Sequence, residues 1–199
     1  MAAPLEERFR TVRDLLPEYR VEMLRGRIVV NESGTWQHNT VVFGIMRRLI
    51  GTVLDRGWEI WPNITVHLGE HTDRYVPDLA VVPGSPRMRM DHAVCGDSTT
   101  LIVDVVSTDS SYDDYYVKPQ GFAAAGVPLY LVLDPAPRAA KLFAAPEGGK
   151  YGREIVAAGN ESLFLPQPWG SPCRSATCGE RTPEARGPVT AVSEPPAGR

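Results

Sequence analysis

The sequence predicts a mixed α/β (α+β) fold: a central mixed β-sheet flanked by helices and preceded by an N-terminal helix and hairpin. Three observations lead there. Segments 75–82 and 100–107 are apolar enough for buried strands, and each is interrupted by one carboxylate. Segment 114–125 reads as a helix closed by Gly126, and 127–133 as a continuous apolar strand, which makes one strand–helix–strand crossover. Upstream, Val41, Val42, Ile45, Met46, Leu49, Ile50, Val53 and Leu54 recur at helical spacing, the pattern of a long amphipathic helix over 39–54.

The other elements follow in chain order. Leu5, Phe9, Val12, Leu15 and Leu16 form a first helical stripe, which Pro17 ends. Tyr19, Val21 and Met23 alternate with polar residues, and Arg25-Gly26 is a tight turn into Ile28, Val29 and Val30, so this stretch is a hairpin. Gly57 stops the long helix. Segments 58–61 and 63–68 read as strands broken at Pro62, and 140–145, 151–157 and 162–165 as shorter closing strands. The folded domain is expected to span 1–166. Residues 166–199 hold seven of the 18 prolines and one aromatic, Trp169, with no apolar periodicity. Such composition buries too little surface to offset its ordering entropy, so 167–199 is expected to be a disordered tail.

Composition bounds the function. The chain has 199 residues, 43% hydrophobic, enough for a core without a metal or disulfide staple. No apolar run approaches the roughly 20 residues that span a bilayer. The N-terminal MAAPLEERFR lacks an apolar signal core, so a cytoplasmic location and no membrane partner are expected. Cys95, Cys173 and Cys178 make neither a disulfide framework nor a zinc-ligand set. The net charge of -3 argues against binding nucleic acid by bulk positive charge, but leaves room for an enzyme that meets DNA through a local patch.

Two carboxylates stand where packing alone would not put them. Asp78 lies in YVPDLAVV and Asp104 in LIVDVVS, both among Val, Leu and Ile. A buried, unpaired carboxylate is costly, and a pair on adjacent strands calls for a shared explanation. A divalent cation supplies one, because Mg²⁺ is held by one or two carboxylates plus water and substrate phosphate. The alternative is that each acid pairs with an arginine, Arg20 or Arg74, or caps a strand end beside Pro77. Lys118 sits early in the helix after Asp104, where it can point back to the strand ends and orient a water or neutralise phosphate charge. It can equally pair with Asp114, four residues earlier. Asp113 and Asp114 read as N-terminal caps.

The ordered set VPDLAVV, LIVDVVSTDS and DDYYVKPQGFAAAGVPLYLVLDP resembles the Uma-two-type restriction endonuclease family, of the PD-(D/E)xK nuclease superfamily. YRVEMLRGRIVV resembles the family's tyrosine–glutamate–glycine hairpin, and His38 its recurrent histidine; the resemblance covers roughly residues 17–166. It implies a restriction-endonuclease-like fold and Mg²⁺-dependent (or Mn²⁺-dependent) endonuclease activity on phosphodiesters, with DNA as substrate. It implies that Asp78 and Asp104 bind the metal with the carbonyl of Val105, and that Lys118 takes the catalytic-lysine role. Glu22 matches the early acid, which either completes the metal site or is a solvated carboxylate on the hairpin. His38 either contacts substrate phosphate or packs at a helix start. The chain departs from the family in Asp104, where Glu is usual, in Val106, which leaves the lysine role to Lys118, and in its C-terminal segment.

The rival reading is a non-catalytic interaction module whose carboxylates are structurally satisfied. Both acids facing one cavity beside Lys118 would favour the enzyme, and each facing a different arginine the rival. The apolar surplus on helix 39–54 also suggests a homodimer, unless the first helix covers it.

Overall fold

A computed structural model describes residues 4–32, 34–69, 73–107, 110–159, 161–169 and 172–174. Among these residues it is a mixed α+β protein with two six-stranded mixed sheets, one two-stranded sheet and three α-helices. The chain begins with α1 (Leu5–Leu15) and the hairpin β1 (Arg20–Leu24) and β2 (Arg27–Asn31), then enters α2 (Trp36–Asp55). Next come β3 (Glu59–Pro62), β4 (Thr65–His67), β5 (Arg74–Tyr75), β6 (Leu79–Val82), β7 (Met88–Met90), β8 (Ala93–Cys95) and β9 (Leu101–Val105). A π-helical turn (Asp113–Val117) runs into α3 (Lys118–Ala124). The chain closes with β10 (Leu129–Asp134), β11 (Ala139–Glu147), β12 (Lys150–Ala158), β13 (Ser162–Phe164) and β14 (Pro172–Arg174).

The larger core lies on the sheet ordered β12-β11-β10-β9-β6-β3. Its central strands β9 and β10 are parallel, as the helical crossover between them requires. Side-chain alternation sends Leu79, Val81, Leu101, Val103, Leu129 and Leu131 to one face, where they meet Val41, Ile45, Leu49 and Val53 of α2. It sends Ala80, Val82, Ile102, Tyr130 and Val132 to the other, against Phe122, Val117 and the second sheet, β2-β1-β5-β4-β8-β7. Asp104 shares this second face, because it is two residues from Ile102. Among the described residues no helix is long and apolar enough to cross a membrane.

The hairpin turns at Arg25-Gly26, both with positive φ (49° and 73°), which suits a two-residue connection. The long helix starts three residues before the expected Asn39, because Thr35 caps it by accepting a hydrogen bond from the His38 N–H. The segment expected as one strand over 75–82 is two. Pro77 cannot donate to a ladder, and at Val76–Pro77–Asp78 the chain passes from the second sheet (β5) to the first (β6). Asp78 therefore stands at the entrance of β6 rather than inside a strand. Asp104 does lie inside β9, which pairs antiparallel with β6. Strands β7 and β8 have no counterpart in the expectation.

The described fold also runs past the boundary expected at 166. Trp169 is buried in the α2-side core, its ring 5.3 Å from that of Trp58, and the backbone of Pro172–Arg174 pairs with Ser162–Phe164. One large aromatic was enough to anchor a segment that lacks periodicity. The rest of the expected tail, 175–199, lies outside the described residues.

Candidate active site

Four carboxylates from four separate segments meet at the ends of β6 and β9. Glu22, Asp78, Asp104 and Asp114 are all buried, and Lys118 is buried among them. Each is fixed by local structure. Glu22 points inward from β1, where its Oε1 accepts the Val76 N–H at 2.7 Å and its Oε2 accepts from Asn31 Nδ2 at 2.7 Å. Asp78 Oδ2 accepts the Val105 N–H at 2.7 Å, and the Asp78 N–H donates to Asp104 Oδ1 at 3.2 Å, so the two acids are laced across the strand pair. The π-helical turn closes when the Lys118 N–H reaches the Asp113 carbonyl. It brings Asp114 and Lys118 onto the same side. Its helix is seated by Gly121, where a Cβ would collide with the Tyr75 hydroxyl.

Lys118 Nζ lies 2.8 Å from Asp114 Oδ1, 3.2 Å from Asp104 Oδ2 and 3.8 Å from Glu22 Oε1. Desolvation opposes its charge, but the three carboxylates outweigh burial and hold its pKa well above the ordinary lysine value. The three carboxylates thus favour the ammonium form of Lys118. Asp104 takes a third partner, the Tyr130 hydroxyl, which donates to Oδ2 at 2.9 Å. Burial, reinforced by the neighbouring charges of Asp78 and Glu22, pushes Asp104 above the usual carboxylate range despite Lys118. Asp114 is also pushed up by burial, even though Ser110 donates to it at 2.5 Å.

Asp78 behaves oppositely. Arg20 Nη1 lies 2.6 Å from its Oδ1 and His38 Nε2 lies 2.9 Å from the same oxygen. Burial would raise its pKa, but the His38 hydrogen bond and the Arg20 charge overcome it and hold the carboxyl below its ordinary value. The His38 ring is held closely: a Cβ on Gly34 would fall 2.6 Å from His38 Cδ2.

The residues singled out from sequence, Glu22, Asp78, Asp104 and Lys118, therefore come together, and the Val105 backbone joins through its N–H. Two expectations need correction. Asp113 and Asp114 do not act as helix caps: Asp114 is the buried partner of Lys118, and Asp113 pairs with Arg27. Glu22 is not a solvated hairpin acid, since its side chain is 2% exposed. Neither rival geometry is met outright. Asp78 faces Arg20, but Asp104 faces a lysine and a tyrosine, and Arg74 pairs with Glu6 instead. Two surface clefts are lined by other residues, one by Arg25, Asp73 and Gln120, the other by His67, Arg87 and Arg89. Arg20 and Asp114 take up pairings that the sequence offered as alternatives, with Asp78 and Lys118, and Tyr130 is a site member that the sequence pattern did not assign. Tyr130 carried the clearest missed signal, a phenol in an otherwise aliphatic strand.

The donor chemistry fits a hard divalent cation. The carboxylates outnumber the fixed cations Arg20 and Lys118 by four to two, and oxygen ligands are what Mg²⁺ takes. No three His, Cys, Asp or Glu side chains among the described residues are already grouped as a cage. Any ion would rely on the Asp78–Asp104 pair and water.

A sheet that carries paired acids, followed by a helix that returns a lysine onto them, agrees with the restriction-endonuclease-like fold that the sequence resemblance implies. The chain belongs to the Uma2 family, described as "Putative restriction endonuclease", whose model matches residues 7–170. The fold is similar to the crystal structure of a "putative nuclease belonging to DUF820" from Anabaena variabilis, with a TM-score of 0.62 and 14% sequence identity over 79% of this chain and 88% of that one. No curated protein matches the chain.

Proposed function

We propose that the protein is an endonuclease that hydrolyses phosphodiester bonds of DNA with Mg²⁺ or Mn²⁺. The observation behind this reading is the lacing of Asp78 to Asp104 across β6 and β9 with Lys118 against Asp104. Asp78 and Asp104, with the Val105 carbonyl, would hold the ion. When bound, it would polarise the scissile phosphate and stabilise the leaving oxygen. Lys118, in its ammonium form, orients the attacking water and offsets charge that develops on the phosphate. Glu22 and Asp114 keep Lys118 in place. Arg20 and His38 fix the rotamer of Asp78. Nicking of supercoiled plasmid tests this. Wild type should cut the plasmid or a single-stranded DNA circle with Mg²⁺ or Mn²⁺, and Asp78→Asn should cut neither; no cleavage of either DNA by wild type under either ion would remove the reading.

One observation favours a second reading, a non-catalytic module on the same scaffold: every carboxylate oxygen of Asp78 and Asp104 already has a partner within the chain. Thermal unfolding separates the two. A ligand that binds the native state raises stability by mass action, so millimolar Mn²⁺ should raise the midpoint of wild type and not of Asp104→Asn. An unchanged midpoint favours the module.

A further inference from the structure

Two helical N-termini flank the acid cluster, and each carries exposed aromatics that the fold does not use. Trp36 is the first residue of α2, two before His38, whose ring touches Asp78; it is 74% exposed. Tyr112 precedes the π-helical turn by one residue and Asp114 by two; it is 67% exposed. Each aromatic has company on its own element. Tyr116 is 60% exposed, with its ring 5.4 Å from that of Tyr112. Phe43, seven residues after Trp36 on the same helix face, is also exposed, and the Arg47 guanidinium stands 5.9 Å from its ring centre.

We propose that these aromatics are base-stacking platforms, and that the substrate is a nucleic-acid strand whose bases are unpaired at the site. The inference rests on the nuclease reading and names its substrate class. Charge is the first argument. A duplex hides its base faces and is held nonspecifically by its phosphates, yet this chain has a net charge of -3 and a core of buried carboxylates at the site. Unpaired bases offer what the surface does have, flat π faces for Trp and Tyr with arginine beside them. Position is the second. The platforms lie on two of the elements that supply site residues, α2 through His38 and the π-helical turn through Asp114, so each stands within a few residues of a side chain in the acid cluster. Use of the α2 stripe by a second copy of the chain would explain Trp36 and Phe43 but leave Tyr112 and Tyr116 without a role.

The test compares four labelled ligands of about 16 nucleotides, within the usual site size for such strands: single-stranded DNA, single-stranded RNA, duplex DNA, and an abasic DNA strand that keeps the phosphates and lacks the bases. Fluorescence anisotropy is read without divalent cations. Wild type should bind a base-bearing single strand more tightly than the duplex or the abasic strand, and the tighter of DNA and RNA identifies the source. Trp36→Ala and Tyr112→Ala/Tyr116→Ala should each weaken that binding about tenfold. They should leave the abasic affinity and the unfolding midpoint unchanged, because the side chains are exposed. Equal affinity for the abasic strand, unchanged affinity in the variants, or no binding overturns the inference. So does a dimer that Trp36→Ala converts to a monomer. If binding follows the expected pattern and no strand is cut with Mg²⁺ or Mn²⁺, the catalytic reading falls and the stacking platforms stand.

Discussion

Asp78 and Asp104 are joined by one hydrogen bond, yet their surroundings push them in opposite directions. Asp78 stands at the entrance of β6, where an arginine and a histidine reach it from β1 and α2. Asp104 lies inside β9, fully enclosed, and shares one lysine with two other acids. The first is held ionised and the second is held toward its protonated form. Pairs of titratable groups driven apart by their environment divide the work of a site.

That contrast can be broken most severely at Lys118. Lys118→Met removes the ammonium that contacts Asp104, Asp114 and Glu22, and removal of one partner from a buried pair costs about 3–5 kcal/mol. Urea unfolding at neutral pH should show this loss or an unfolded chain, and a loss below about 1 kcal/mol would mean that the cluster is not charged as described. The next test uses pH. Asp78 is depressed in the fold, so it contributes stability that is present above the unfolded value near 3.9 and lost as the pH falls through its folded pKa. Asp104 is raised, so it opposes folding increasingly as the pH rises above about 3.9, and the opposition levels off past its folded pKa. Asp78→Asn should therefore flatten the acid limb of a stability–pH curve. Asp104→Asn should instead lessen the loss that sets in above about pH 3.9. Equal slopes for the two variants would erase the contrast.

Asp104→Glu adds a methylene in a packed site, at a cost of about 1–3 kcal/mol. It should keep the fold and retain or increase nicking, because the family usually places Glu there. An inactive Glu variant beside an active wild type would mean that the site is built around the shorter arm. The smallest expected effect is that of Tyr130→Phe, which removes one donor to Asp104 at about 1 kcal/mol and should leave the acid limb governed by Asp78 untouched.

The two acids also differ in how far sequence revealed them. Asp104 was legible because a carboxylate at the centre of LIVDVVS interrupts a continuous apolar run. Asp78 was legible as an anomaly but misplaced, since strand-forming residues on both sides of Pro77 hid the passage between sheets. The larger helices and strands followed from periodicity. The short strands β7 and β8 did not: Met88–Met90 is exposed and carries no apolar pattern, and the buried Ala93–Cys95 is only three residues long. Arg20 was only one of two candidates for pairing with an acid. Long-range contacts decide such pairings: Arg20 is 58 residues from Asp78 and Arg74 is 68 from Glu6. Trp169 was lost for the opposite reason, a single core residue in a stretch whose average composition is that of a linker.

The acids also serve as backbone acceptors. The N–H groups of Val76, Asp78 and Val105 donate not to carbonyls but to Glu22, Asp104 and Asp78 in turn. The main chain is thus tied across the seam between the two sheets by the very side chains assigned to chemistry. An alanine scan of this protein would confound the two jobs, because each truncation would also orphan a buried amide. Replacement of Asp by Asn and Glu by Gln keeps an acceptor oxygen for the amide while it removes the charge, and so allows architecture and reactivity to be assayed one at a time.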